Sequence, residues 1–163
     1  MDKELMRREI KGRLKSPISR RIALRELETG QATEIYRLDD DGSGKPMFFD
    51  ITGMREWCLS NAKRVVVPPD FERCMQLVKS GAVEAEHIRN FTIHRAPEPI
   101  IICRYLAGSD QIVDGAHRYV ALCAAMHATQ IFVPVPAYLL PKSKWQKFVM
   151  PEELTKFNNF ESS

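Results

Sequence analysis

The segment QIVDGAHRYVALCAAM, residues 111–126, constrains the fold more than any other part of the chain. It begins as an apolar strand, turns at Gly115 and continues with the periodicity of a helix predicted over 116–127. The first turn of that helix carries His117 and Arg118, although the positive end of the helix dipole favours acids there. Two bases at this point indicate that an anion lies between them and the helix start.

The turn at Gly115 suits a bound phosphate group. Glycine lets the backbone turn tightly and approach a ligand without a Cβ in the way. The amides of Ala116, His117 and Arg118 have no intrahelical acceptor, and the helix dipole adds to their attraction for an anion. Arg118 can bind a phosphate through two nitrogens, His117 can donate a hydrogen bond or transfer a proton, and Asp114 can bind a ribose hydroxyl or Mg²⁺.

The same pattern also fits a surface helix start that binds no ligand. In that interpretation, His117 and Arg118 pair with nearby acids such as Asp110 or Asp114. Spacing alone does not decide between the two. Further along the helix, we predict that the side chains at helical spacing belong to the core, namely Tyr119, Leu122, Cys123 and Met126.

The segment PIIICRYLAGSDQIVDGAHRYVALCAAMHATQIFVPVPAYLL resembles the core of the ParB/sulfiredoxin-like superfamily. In that superfamily a hairpin leads to a motif of the form Gly-x-x-Arg or Asp-Gly-x-His-Arg, and an alanine-rich helix and a further strand follow. The resemblance covers residues 64–140, and DGAHRYVAL is its most specific part. It implies an α/β fold, α+β in its layering, with a small mixed sheet, packed helices and a nucleotide pocket at the start of helix 116–127.

The resemblance also implies roles for individual residues. Gly115, His117 and Arg118 match the phosphate-binding part of the sulfiredoxin motif Gly-Gly-Cys-His-Arg. Ala116 stands where that motif has its attacking cysteine, so sulfinate reduction is not expected. Against the CTP-binding Gly-Glu-Arg-Arg motif of partition proteins, only Arg118 matches cleanly. Glu98, directly before the Pro-Ile strand, is a further candidate contact for ribose, metal or base.

These matches predict a protein that binds a nucleotide triphosphate, ATP or CTP, together with Mg²⁺. Asp114 and His117 are the catalytic candidates, and Asp114 is the candidate metal ligand. The expected activity is NTP hydrolysis or ParB-like nuclease cleavage in a DNA-related setting, as described for phage and plasmid relatives. Two alternatives stay open: a kinase that phosphorylates a small metabolite such as a free amino acid using ADP or ATP, and a non-catalytic module that binds a partner protein.

The first 25 residues form a basic arm. They hold nine Lys and Arg residues against three acids, a net charge of +6, whereas the other 138 residues carry −3. A basic arm on a slightly acidic body favours contact with an anionic polymer, so DNA binding through residues 1–25 is predicted. A solvated helix face is the alternative.

Composition restricts the class of protein. The chain has 163 residues, 44% hydrophobic and 28% charged, which predicts a folded chain. The absence of a long apolar run and of a secretory signal predicts a cytoplasmic protein with no membrane contact. The four cysteines are too widely spaced for a zinc pair, and we predict that they are buried as small apolar residues: Cys58, Cys74, Cys103 and Cys123.

The predicted elements divide the chain into three parts. Residues 1–60 form a basic helical extension and a β-hairpin, residues 61–142 form the ParB/sulfiredoxin-like core, and residues 143–163 form a C-terminal helix and a polar tail. The prolines of strand 131–140 favour an edge position in the sheet. The other predicted elements of the hairpin and the core are strands 33–38, 47–51, 64–68, 99–106 and 111–114, a helix over 69–81, a turn of helix at 84–88 and a strand at 91–94.

Overall fold

The computed structural model describes residues 2–39, 44–83 and 98–151, and its fold is mixed α/β, which confirms the predicted class. The described residues fall into two compact units. The central unit spans Cys58–Pro141, and the terminal unit comprises the described residues of Met1–Trp57 and Lys142–Ser163. In chain order the elements are α1 (Lys3–Arg13), α2 (Pro17–Thr29), β1 (Ile35–Leu38), β2 (Met47–Asp50), α3 (Ile51–Asn61), β3 (Val65–Val67), α4 (Phe71–Lys79), β4 (Ile100–Leu106), β5 (Ser109–Asp114), α5 (Ala116–Thr129), β6 (Val135–Leu140), α6 (Lys142–Trp145) and a 3₁₀ turn (Gln146–Phe148).

The terminal unit contains the basic helices and the predicted hairpin. Pro17 is the first residue of α2, a position where its missing N–H costs nothing. Strands β1 and β2 pair antiparallel, as predicted. Ile22 of α2, Phe48 of β2 and Met150 form a common core. Residues 143–163 were predicted to form a part of their own, whereas in the structure α6 and the 3₁₀ turn belong to the same unit as the N-terminal elements.

A buried ion pair joins α2 to the hairpin. Asp50 is 0% exposed, and its two carboxylate oxygens accept hydrogen bonds from the two terminal nitrogens of Arg25 at 2.7 and 3.1 Å. The Gly53 amide donates to the same carboxylate at 2.9 Å. Arg25 also donates to the Thr33 hydroxyl at 2.9 Å. Because both ions have several partners, the cost of burying them is offset.

The central unit is a four-stranded sheet with the order β3-β6-β4-β5. Strand β4 pairs antiparallel with β5 and parallel with β6, and α5 provides the connection that a parallel pair needs. Helices α4 and α5 contribute Cys74, Tyr119, Leu122, Cys123 and Met126 to the core of this unit, which confirms the predicted core face of α5. Asp70 caps α4 by accepting from the Arg73 amide at 3.1 Å.

The predicted edge position of the last strand is wrong, because β6 lies between β3 and β4. The strand tolerates Pro136 there because its ladder with β4 begins only at Ala137, opposite Ile100. On the other side, Pro136 is the middle one of three residue pairs and faces Val66. Because Pro136 precedes the ladder with β4, its missing N–H costs that ladder little. The predicted turn at 84–88, the strand at 91–94 and the tail after residue 151 lie outside the described residues.

Replacing Arg25 tests the buried ion pair. We expect Arg25→Ala to lower the free energy of unfolding of the terminal unit by about 3–5 kcal/mol, because Asp50 stays buried without its partner. The two tryptophans, Trp57 and Trp145, both belong to this unit, so denaturant unfolding followed by their fluorescence measures the change.

Arg7→Ala is the matched control for this experiment. Arg7 pairs with Glu4 and Glu28 at 3.3 Å, but these side chains are 37–61% exposed. Such exposed pairs contribute about 0–1 kcal/mol. Equal losses in the Arg7→Ala and Arg25→Ala variants would contradict the structural role given to Asp50.

Candidate functional site

The candidate site lies where β5 ends and α5 begins. Because β4 and β5 are antiparallel, the start of β4 lies beside the end of β5, and Ile101 is opposite Asp114. Gly115 then turns the chain with φ +87° and ψ 20°, a left-handed conformation that glycine adopts without strain. The first intrahelical bond runs from the Tyr119 amide to the Gly115 carbonyl at 2.9 Å. The three amides before Tyr119 therefore have no intrahelical acceptor.

Arg118 lies across the turn rather than pointing away from it. A Cβ added at Gly115 would come within 2.7 Å of the Arg118 Nη2 and 2.8 Å of the Ile100 Cγ2. Nη2 donates to the Pro99 carbonyl at 3.3 Å. The Arg118 Nε is buried and has no hydrogen-bond partner among the described residues. The guanidinium is thus held against the backbone with part of its donor capacity unused.

Asp114 neutralises part of this positive charge. Its Oδ2 lies 3.9 Å from the Arg118 Nη2, and the two side chains are 10% and 22% exposed. This is one of the pairings that the ligand-free interpretation predicted, although 3.9 Å is beyond hydrogen-bond distance. Asp110 instead accepts a hydrogen bond from the Tyr105 amide at 3.0 Å.

The Asp114 charge also acts on a buried cysteine. Burial is the main cause that raises the pKa of the Cys58 thiol to about 12, and the Asp114 charge is the second cause.

The structure brings the remaining predicted residues to the same edge of the sheet. Ala116 and His117 lie half-buried in the first turn of α5. Glu98 is exposed and directly precedes Pro99, whose carbonyl binds Arg118. Glu98 was named from the resemblance alone, and the antiparallel pairing of β4 with β5 is what brings it near the end of β5.

The donors at this corner suit Mg²⁺ only in company with a nucleotide. Asp114 supplies one carboxylate, and the described part of the chain holds no group of three or more His, Cys, Asp or Glu side chains arranged for a metal ion. Mg²⁺ in nucleotide sites is bound by one or two carboxylates, phosphate oxygens and water. A single carboxylate is sufficient for that mode of binding.

Two cavities in the central unit lie away from this corner. One, of about 210 Å³, lies between α4 and β5, where Arg73 donates to the Asp110 carbonyl at 2.6 Å. The other, of about 470 Å³, lies between α4 and α5 and is lined mainly by apolar side chains and by Cys74 and Cys123. Neither cavity was predicted from the sequence. The side chains that line each cavity belong to elements that are distant in sequence, so the pattern of each element alone does not show that they meet.

The basic arm is partly used for internal contacts. Arg25 binds buried Asp50, Arg20 donates to the Leu14 carbonyl, and Arg7 pairs with two glutamates. The bases of the arm that are exposed are Lys3, Arg8, Lys11, Arg13, Lys15 and Arg21. Four of these six lie on α1, so α1 carries most of the exposed positive charge of the arm.

Comparison with known proteins gives no match: no protein-family model, curated protein or solved structure corresponds to this chain. Among the helices of residues 2–39, 44–83 and 98–151, none combines the length and apolar character that a membrane crossing requires.

Gly115→Ala tests the closed contact with Arg118. We expect the free energy of unfolding of the central unit to fall by more than about 2 kcal/mol. The new Cβ would collide with Arg118 and Ile100, and alanine would in addition be strained at this positive φ. Chemical denaturation followed by far-ultraviolet circular dichroism measures the loss.

Gly108→Ala separates backbone strain from steric contact. Gly108 has a similar φ of +81°, but its added Cβ meets nothing within 4 Å. This control therefore costs only the conformational strain, about 1 kcal/mol. If both variants lose the same amount, Arg118 does not pack against Gly115 in solution.

Proposed function

We propose that this chain is a ParB/sulfiredoxin-like protein that binds the phosphates of a nucleotide triphosphate at the Gly115 turn and acts on or with DNA. The observation that carries the proposal is the arrangement of Arg118 over Gly115. It places a guanidinium beside the first amides of a helix, which have no intrahelical acceptor, and these two features together attract phosphate. The basic surface of α1 supports the connection to DNA.

Arg118 and the helix start would bind the phosphates together. The amides of Ala116, His117 and Arg118 offer three donors at the positive end of the helix dipole. Arg118 has an unused Nε and would add a charged hydrogen bond on moving from the Pro99 carbonyl to a phosphate oxygen. The absence of a side chain at Gly115 lets the phosphate approach the backbone.

His117 and Asp114 are the residues proposed to act in catalysis. A neutral His117 can accept the proton of a water molecule that attacks a phosphorus atom, and can then return it to the leaving oxygen. Asp114, at the end of β5, would help to hold Mg²⁺. When bound, Mg²⁺ would neutralise charge on the phosphates. Hydrolysis of the triphosphate and cleavage of a phosphodiester both follow this scheme.

Thermal unfolding with CTP, ATP or ADP, each with Mg²⁺, tests nucleotide binding. At a concentration about 100 times the Kd, a ligand stabilises the folded state by about 2.7 kcal/mol, so the midpoint of the central unit should rise by several degrees. Scanning calorimetry is suitable, because both tryptophans belong to the terminal unit. If none of the nucleotides shifts the transition at millimolar concentration, the proposal is wrong.

Three variants identify the binding residue. Arg118→Ala should abolish the nucleotide-induced shift, and Arg118→Lys should restore it only in part, because lysine keeps the charge but not the two-pronged geometry. Arg64→Ala removes an exposed arginine of the same unit and should leave the shift unchanged. Comparing shifts rather than absolute midpoints removes the effect of losing the contact with Pro99.

Replacing the bases of α1 tests the connection to DNA. A variant with Gln at Lys3, Arg8, Lys11 and Arg13 keeps helix propensity and should weaken DNA binding in fluorescence anisotropy. Each lost phosphate contact should reduce the slope of log K against log salt by about 0.9. Deleting residues 1–25 is less informative, because that deletion removes Ile22 from the core and Arg25 from the buried pair.

The charge-matched control carries Gln at four exposed bases elsewhere, Lys63, Arg64, Lys142 and Lys147. Equal weakening in both variants would indicate an unspecific charge effect. Binding of ATP or ADP with no salt-dependent DNA binding would favour the metabolite-kinase alternative. Neither nucleotide nor DNA binding would favour the partner-binding module.

A further inference from the structure

We propose that Cys74 and Cys123 form a redox-active dithiol, which a peroxide converts to a disulfide linking α4 to α5. This inference is independent of the nucleotide proposal, because it concerns a different cavity and different side chains. It also goes beyond the sequence prediction, in which all four cysteines serve only as small apolar core residues.

The two thiols lie on different helices but meet at one point. Their side chains are joined by a hydrogen bond, and both line the apolar cavity of about 470 Å³ between α4 and α5. Cys74 is 7% exposed and Cys123 is 1% exposed. The cavity is also lined by Met75 and Val78, which are 58% and 37% exposed. A small oxidant therefore has a path from solvent to the sulfur atoms.

The surroundings of Cys123 favour its thiolate. The hydrogen bond from Cys74 is the main cause that lowers the pKa of Cys123, with burial acting against it. The Tyr119 hydroxyl, which accepts a hydrogen bond from the Asp70 amide at 2.8 Å, lowers the pKa of Cys123 further. The hydrogen bond between the two thiols, followed by burial, raises the pKa of Cys74. Cys123 is thus the attacking sulfur, and Cys74 keeps its proton until the second step.

The other two cysteines provide an internal comparison. Cys58 and Cys103 are both 0% exposed. Burial is the main cause that raises the pKa of each thiol to about 12. Every cause given for these two thiols raises the pKa, so this second pair is expected to be unreactive.

The proposed reaction takes place in two balanced steps. The Cys123 thiolate attacks one oxygen of hydrogen peroxide, the O–O bond breaks, and the leaving hydroxide takes a proton to become water. The product is a sulfenic acid on Cys123. Cys74 then loses its proton and attacks the Cys123 sulfur, the S–O bond breaks, and a second water leaves. Two thiols are oxidised to one disulfide, and the peroxide is reduced to two water molecules.

Peptide mapping without reductant tests the proposal on the full-length protein. After treatment with a few equivalents of hydrogen peroxide, we expect a loss of two hydrogen atoms in the intact mass and one linked peptide pair that contains Cys74 and Cys123. The cross-link should raise the midpoint of thermal unfolding by roughly 10 °C, since it constrains the unfolded chain, and dithiothreitol should reverse both changes.

Variants locate the reaction. Cys58→Ala with Cys103→Ala should keep the cross-link, whereas Cys74→Ala or Cys123→Ala should lose it. Because alanine in the core can destabilise the fold, the map of the wild-type protein is decisive by itself. Four free thiols after oxidation, linkage through Cys58 or Cys103, or sulfinic acid on Cys123 with Cys74 unmodified would each overturn the proposal.

Filling the cavity tests whether the oxidant enters through it. Ala124 is exposed and lines the cavity, so Ala124→Phe should slow cross-linking several-fold. Ala128→Phe adds the same ring at an exposed position of α5 that does not line the cavity and should leave the rate unchanged. Equal rates in the two variants would overturn this part of the proposal.

Discussion

The contact between the Arg118 guanidinium and the backbone at Gly115 is the constraint on which the candidate site depends. It requires a residue without a Cβ at the end of β5, because any other residue would meet both Arg118 and Ile100. It also requires the antiparallel pairing of β4 with β5, because that pairing brings the Pro99 carbonyl to the start of α5. The position of Arg118 therefore depends both on the register of β4 with β5 and on the turn at Gly115, and changing either one would displace its guanidinium.

Most of the elements could be predicted because their signals are local. Asp70 before α4, Pro17 at the start of α2 and the apolar runs in β4 and β5 act through neighbouring residues. The position of β6 could not be predicted, because Pro136 lies just before the ladder with β4, and only the fold determines where that ladder begins. The pairing of Arg25 with Asp50 escaped prediction for a similar reason. These residues are 25 positions apart, and Arg25 is counted as an ordinary base in a charged arm.

The candidate site shows the same division between local and distant signals. Gly115, His117, Arg118 and Asp114 are close in sequence, so their common location could be predicted, whereas Glu98 was named only from the family resemblance. The direction of the Arg118 side chain could not be predicted, because it depends on the carbonyl of Pro99, 19 residues earlier in the chain. The meeting of Cys74 with Cys123 was hidden as well, because each cysteine fits the apolar face of its own helix. Chemistry shared between two helices leaves no trace in the spacing of either one.

The two edges of the central sheet differ in a way that bears on association. Strand β3 has three residues and is followed directly by Pro68 and Pro69, which carry no amide hydrogen, so a further strand finds little to bind on that side. Strand β5 is twice as long and forms the opposite edge. Of the two edges formed by the described strands, β5 is therefore the one that offers more backbone groups to an added strand. Because β5 ends at Asp114, a strand added along β5 would lie next to the Gly115 turn and would compete with a ligand for access to it.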